Sequence, residues 1–156
     1  MKTIVMLPLS IFILLAGCIS EAQGAEMDPG DSKASPQTGS IKDNITIEVY
    51  HFHGTRQCQS CIKVGELAEK TVNTYFKDEL DSGTLVFGHI NGELPENSGL
   101  VEKYGVTSSS LWIGTYVNGE FHKEQNVNVW YKINNEQEYL DYLKTILETR
   151  LSGGLD

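Results

Sequence analysis

The sequence predicts an α/β domain with elements in the order β-α-β-α-β-β-α, a mixed central sheet flanked by helices on both faces. Three observations carry that expectation. Residues 45–52 are apolar on both alternating faces, with Ile45, Ile47 and Val49 on one and Tyr50 and Phe52 on the other, as in a strand covered on both sides. Beyond it, Cys61, Val64, Ala68, Val72 and Tyr75 recur at helical spacing. Nearer the C-terminus, Asn118-Gly119 separates two strand-like runs, and this dipeptide favours the left-handed backbone of a two-residue hairpin turn.

The elements follow in order. Residues 45–52 form the first, central strand, and the turn-like Gly54-Thr55-Arg56-Gln57 leads into Cys58 and a long helix. Residues 85–90 make a second short apolar strand. Residues 95–104 open on proline and stop before Gly105, the signature of a short helix. Residues 111–117 and a strand beginning at Glu120 pair antiparallel across Asn118-Gly119. Asn134, with Gln137 three residues on, is expected to cap a last helix whose apolar face is Tyr139, Leu140, Leu143, Ile146 and Leu147. Trp112, Trp130 and the tyrosines are assigned to packing.

The domain occupies only part of the 156 residues. Lys2 precedes an almost wholly apolar stretch that is too short for an ordinary spanning helix, and Leu15-Ala16-Gly17-Cys18 follows it. Slim side chains directly before a cysteine resemble a lipobox. Residues 1–17 are therefore expected to be a lipoprotein signal peptide, and Cys18 the lipidated mature N-terminus. Residues 18–44, rich in Gly, Pro, Ser and acidic side chains, are expected to be a flexible tether. The domain then spans 45–150, with 151–156 as a C-terminal tail. This places the domain outside the cytoplasm, held to a bilayer through Cys18.

A formal charge of -9 and a pI near 4.8 oppose a phosphate backbone, and the basic residues are scattered, so nucleic-acid binding is excluded as a function class. Of three cysteines, Cys18 is assigned to lipid, which leaves the single pair Cys58 and Cys61.

That pair carries the chemistry. In Cys58-Gln59-Ser60-Cys61 the first cysteine falls where a strand hands over to a helix, and the unpaired amides and positive end of the helix dipole stabilise a thiolate there. Cys58 is the candidate nucleophile. Cys61, within the first turn, is placed to attack a mixed disulfide and release the partner. Arg56 is a candidate for adding positive potential near Cys58.

Residues 45–52, Cys58-Gln59-Ser60-Cys61-Ile62-Lys63, Leu100-Val101-Glu102-Lys103-Tyr104-Gly105-Val106 and Tyr116-Val117-Asn118-Gly119-Glu120 together resemble a thioredoxin-like domain over residues 45–150. Within that superfamily, His53-Gly54-Thr55-Arg56, Cys61-Ile62-Lys63-Val64 and Val129-Trp130 are similar to the ArsF-type proteins, described as nitrophenyl compound nitroreductase subunits. The resemblance implies thiol-disulfide exchange with Cys58 attacking and Cys61 resolving, a protein thiol or disulfide as partner, and a membrane reductase as a candidate for that partner. It implies no cofactor beyond the cysteine pair. It also points to the loop before the third strand as a substrate ledge, here Ser109 and Ser110. That loop lacks the proline usual in such domains, and a cis bond before another residue costs about 2.5 to 4 kcal/mol, so it is expected to be trans. The buried acid that often assists the resolving cysteine also has no counterpart, since the first strand offers Tyr50, His51 and Phe52.

His51 and His53 share a strand face just before the dithiol. They are candidates for tuning Cys58, or, with Cys58 and Cys61, for a zinc or other soft-metal site. His89 and His122 stand alone and are assigned no role. The sequence thus predicts a membrane-tethered, extracytoplasmic thiol-disulfide oxidoreductase or electron-relay subunit. The alternatives are a soft-metal or metalloid binding module and a non-catalytic interaction domain.

If Cys18 carries the anchor, Cys18→Ala releases the chain from lipid attachment and blocks processing of the leader. Fractionation and N-terminal sequencing check this. A variant that is processed and membrane-bound like the parent refutes the lipoprotein reading.

Overall fold

A computed structural model describes residues 44–155. The expected signal segment, Cys18 and residues 19–43 of the expected tether lie outside the described residues. The elements are β1 (Ile45–His53), α1 (Gln59–Tyr75), α2 (Lys77–Ser82), β2 (Leu85–Asn91), α3 (Ser98–Tyr104), β3 (Ser110–Val117), β4 (Glu120–Gln125) and α4 (Glu136–Leu151), with 3-10 turns at Pro95–Asn97 and Asn128–Tyr131. The sheet order is β2-β1-β3-β4, with β1 and β2 parallel and the other neighbours antiparallel. This is the mixed α/β sheet with helices on both faces that the sequence predicts.

The period-two alternation of β1 divides the molecule. On one face, Ile47 and Val49 join Leu111 and Ile113 of β3 beneath α1 and α4, whose Val64, Leu67, Ala68, Val72, Leu140, Leu143 and Leu147 close a single apolar cluster. On the other face, Tyr50 and Phe52 meet the ring of Tyr104 from α3, with centroids at 5.7 Å and 5.5 Å. Trp112 and Phe121 extend this aromatic layer. Tyr104 is wholly buried, and its hydroxyl donates to Glu48 Oε2 at 2.6 Å. Lys103 donates to the same oxygen. Burial first, then Glu48, holds that phenol above its ordinary pKa range.

The turns are set by backbone demands. Asn118 and Gly119 adopt φ of 53° and 86°, the left-handed pair of a tight hairpin, and Gly105 at 71° closes α3 by donating to the Val101 and Glu102 carbonyls. Two details differ from the sequence expectation. The cap of α4 is Asn135 and not Asn134: Asn135 holds an extended backbone one residue before the helix, and its side chain accepts from the Glu138 amide at 3.3 Å. The short helix α2 has no buried residue, so it carried no apolar periodicity to find. Among the described residues no helix is long and apolar enough to cross a membrane.

Gly114 of β3 lies under Tyr104, and a Cβ there would run into the Tyr104 hydroxyl and the Phe121 ring. The hydroxyl is fixed by Glu48, so it has no easy retreat. Gly114→Ala is expected to lower stability by about 2 kcal/mol in urea unfolding. A loss below roughly half a kcal/mol would mean the α3 layer is looser than this packing implies.

Candidate active site

The site is built where β1 ends and α1 begins. Cys58 is the N-cap of α1, with extended backbone at φ -77° and ψ 161°, and its Sγ accepts from the Cys61 amide at 3.1 Å. The two cysteines form a disulfide with their Cα atoms 5.1 Å apart. Cys58 is exposed and Cys61 half-buried. No acidic residue stands in the first turn of α1, so nothing there offsets the positive end of the helix.

The approach to Cys58 is braced by the loop after β2. The Gly92 amide donates to the His53 carbonyl at 2.8 Å, the Thr55 amide to Glu93 Oε2 at 3.0 Å, and Asn91 Nδ2 to Thr55 Oγ1 at 3.1 Å. Asn97 Nδ2 in turn holds the Asn91 carbonyl at 2.8 Å. The Thr55 donors keep the Glu93 carboxyl below its ordinary range, with a smaller contribution from Arg56. Arg56 is exposed in this loop and acts on Glu93. Asn91 and Glu93 carried no sequence signal, being polar residues at a strand end.

A cavity of about 180 Å³ opens beside this brace, between Phe52, His53, Glu93 and Val101 and the loop at Thr107 and Ser109. Of the two predicted ledge residues, only Ser109 lines it. Ser110 is buried, and its hydroxyl donates to the Ser108 carbonyl at 2.8 Å and accepts from Trp112 Nε1 at 3.0 Å. The described residues contain no cis peptide bond.

His51 lies beneath the first turns of α1, 1% exposed. Its ring stacks on His53, with centroids 5.4 Å apart, and its Nδ1 is 3.0 Å from Nδ1 of His89. A Cβ on Gly65 of α1 would collide with both rings, so the glycine permits the helix to settle onto them. His51 Nε2 is buried without a hydrogen-bond partner, although the Cys61 carbonyl lies near enough to favour a charged ring somewhat. Burial chiefly, then His89 and His53, push the His51 pKa down to about 4. His89 is the residue that sequence reasoning left without a role. The parallel register sets it opposite His51, and only that register could have revealed it. Its Nε2 is 3.3 Å from Glu69 Oε2 on α1. His122 lies on β4 opposite Thr115, away from this cluster. Among the described residues no group of three or more His, Cys, Asp or Glu side chains that could hold a metal ion is found.

No protein-family model matches the chain, and no curated protein does. Among solved structures the chain is similar to the crystal structure of thioredoxin O2 from Arabidopsis thaliana in the oxidized state, at 13% identity and a TM-score of 0.41, over 67% of this chain and 74% of that one.

His51 gives the fold a specific pH dependence. The unfolded imidazole, near its ordinary 6.5, binds a proton that the folded one refuses until about pH 4, so its contribution is full above 6.5 and is lost as pH falls through that window. Between pH 7.5 and 4.5 the parent chain is expected to lose on the order of 2 kcal/mol more unfolding free energy than His51→Asn. Urea titrations of both at the two pH values check this, and equal losses would show that His51 is not held neutral.

Proposed function

We propose that this domain performs thiol-disulfide exchange, with Cys58 as the attacking and Cys61 as the resolving cysteine. The observation that carries the reading is the asymmetry of the pair. Cys58 is exposed at the cap of α1 with an amide donated to its sulfur, while Cys61 is half-buried within the first turn. The capped position lowers the thiolate's energy, and exposure lets a partner reach it.

In the forward half-reaction the Cys58 thiolate attacks one sulfur of a partner disulfide, the partner's S–S bond breaks, and its other sulfur leaves as a thiolate. Cys61 then gives up its proton and attacks Cys58 Sγ, so that the Cys58–Cys61 bond forms and the second partner sulfur departs with its electron pair. The partner is oxidant, the dithiol reductant, and the reverse sequence oxidises a partner dithiol. The brace from Asn91 and Glu93 fixes the approach to Cys58 during both attacks. The cavity next to this brace, with Ser109 on its wall, supports the docking of a partner segment.

The finer reading places this chemistry outside the cytoplasm, on a bilayer through a lipid at Cys18, where the domain relays electrons to or from a membrane reductase as the ArsF-type resemblance implies. No cofactor beyond the cysteine pair is needed for it.

Cys61→Ser removes the resolving attack and leaves the nucleophile, so it is expected to accumulate mixed disulfides with protein partners, whereas Cys58→Ser traps few. Non-reducing electrophoresis and mass spectrometry of the adducts provide the check. Trapping mainly by Cys58→Ser would reverse the assigned roles, and a wild-type pair inert to both oxidant and reductant would end the exchange reading.

A further inference from the structure

His51 is a polar side chain buried where an apolar one would pack more cheaply. Its Nε2 is buried without a hydrogen-bond partner, the Cys61 main chain lies near the ring, and its Nδ1 lies 3.0 Å from His89 Nδ1. Two imidazole nitrogens approach that closely only when one of them carries a hydrogen, so the neutral pair shares one hydrogen along this contact. On the far side, His89 Nε2 lies 3.3 Å from Glu69 Oε2, with the His89 side chain 38% exposed and that of Glu69 51%. These two contacts join the three residues in a line from the buried ring near the Cys61 main chain to solvent.

The neutral pair has two tautomeric arrangements. In one, His51 Nδ1–H donates to His89, His89 Nε2–H points to the Glu69 carboxylate, and His51 Nε2 keeps its lone pair. In the other, the two ring hydrogens sit on His51 Nε2 and His89 Nδ1, and His89 Nδ1–H donates to His51 Nδ1. Passing from the first to the second takes in a proton at His51 Nε2 and delivers one at Glu69.

We propose that His51, His89 and Glu69 are a proton relay for Cys61, taking its thiol proton as it attacks the mixed disulfide and returning a proton when the disulfide is reduced. The inference rests on the exchange reading and adds the route of the proton. In the resolving step the Cys61 S–H proton goes to His51 Nε2, the His51 Nδ1 proton to His89 Nδ1, and the His89 Nε2 proton to Glu69 and then to water. The Cys61–Cys58 bond forms while the partner thiolate leaves. Reduction of the disulfide runs the same shifts backwards and resets the tautomers.

The groups facing His51 favour transmission over storage. His53 from β1 and His89 from β2 both oppose a charge on it, the Cys61 main chain of α1 favours one, and β3 brings the apolar Leu111 into register opposite. A ring so placed remains neutral near pH 7 and is free to accept. Gly65 is what lets α1 approach the two rings closely enough for the line to form.

The test uses the reduced full chain, carrying Cys18→Ala so that only the pair reacts, with Ellman's aromatic disulfide in stopped flow. The first release of coloured thiolate reports Cys58 attack and the second reports Cys61 resolution. The parent's second phase is expected to vary little between about pH 5.5 and 8, because the acceptor stays neutral there. In His51→Asn, which keeps a partner for His89 but lacks the Nε2 acceptor, the second phase is expected to slow at least about ten-fold at pH 6 and to rise steeply with pH, with the first phase within about two-fold of the parent. His89→Phe, at a half-exposed position, is expected to do the same and serves if His51→Asn fails to fold. An unchanged second phase and pH profile in the folded variants overturns the relay and leaves the exchange reading standing. A parent with no first phase brings down both.

Discussion

Strand β1 is hydrogen-bonded along both edges, to β2 and β3, and buried on both faces, and the positions of the remaining elements follow from that confinement. A strand with no solvent face needs a cover on each side, which α1 and α4 supply over Ile47 and Val49, and α3 over Tyr50 and Phe52. Its parallel partner β2 can be reached only by a crossover, and α1 and α2 fill it. The crossover sets the start of α1 just past the C-terminal end of the central strand. In open α/β sheets that edge is where chemistry tends to collect, because helix N-termini and loop backbones converge there.

The two faces of the sheet meet their polar demands differently. On the α3 side, Glu48 is satisfied by the Tyr104 hydroxyl and the Lys103 ammonium, so a half-buried carboxylate becomes a staple for a helix of only seven residues. On the α1 side the imidazole of His51 keeps one nitrogen unsatisfied. An unpartnered buried nitrogen costs stability, of the order of 1 to 3 kcal/mol, and such costs concentrate where function requires them. The ring that bears this cost lies against Gly65 and the Cys61 main chain of α1.

Rigidity at Cys58 comes from the neighbouring loop and not from the helix alone. Helix amides define where the sulfur sits relative to α1, but the four residues between β1 and the helix cap could take many paths. Hydrogen bonds donated by Gly92 and Asn91, and one that Glu93 accepts from the Thr55 amide, select one of them. The same segment forms one wall of the adjoining cavity, so the brace that holds the approach to Cys58 also shapes that space.

The sequence by itself determined the fold class, the central strand, the long helix after the cysteines, the Asn118-Gly119 hairpin and the cysteine pair at a strand-to-helix junction. Each is written in local pattern: period two, period 3.6, a left-handed dipeptide, or a fixed spacing. Only the tertiary structure decided that His89 stands beside His51, that Glu93 and Asn91 hold Thr55, and that Ser109 faces the cavity while Ser110 turns inward. His51 and His89 are 38 positions apart and joined through two helices, so their meeting depends on the register of a parallel ladder. A one-residue slip in that ladder would turn His89 to the opposite face of the sheet, and no local periodicity in either strand distinguishes the two registers.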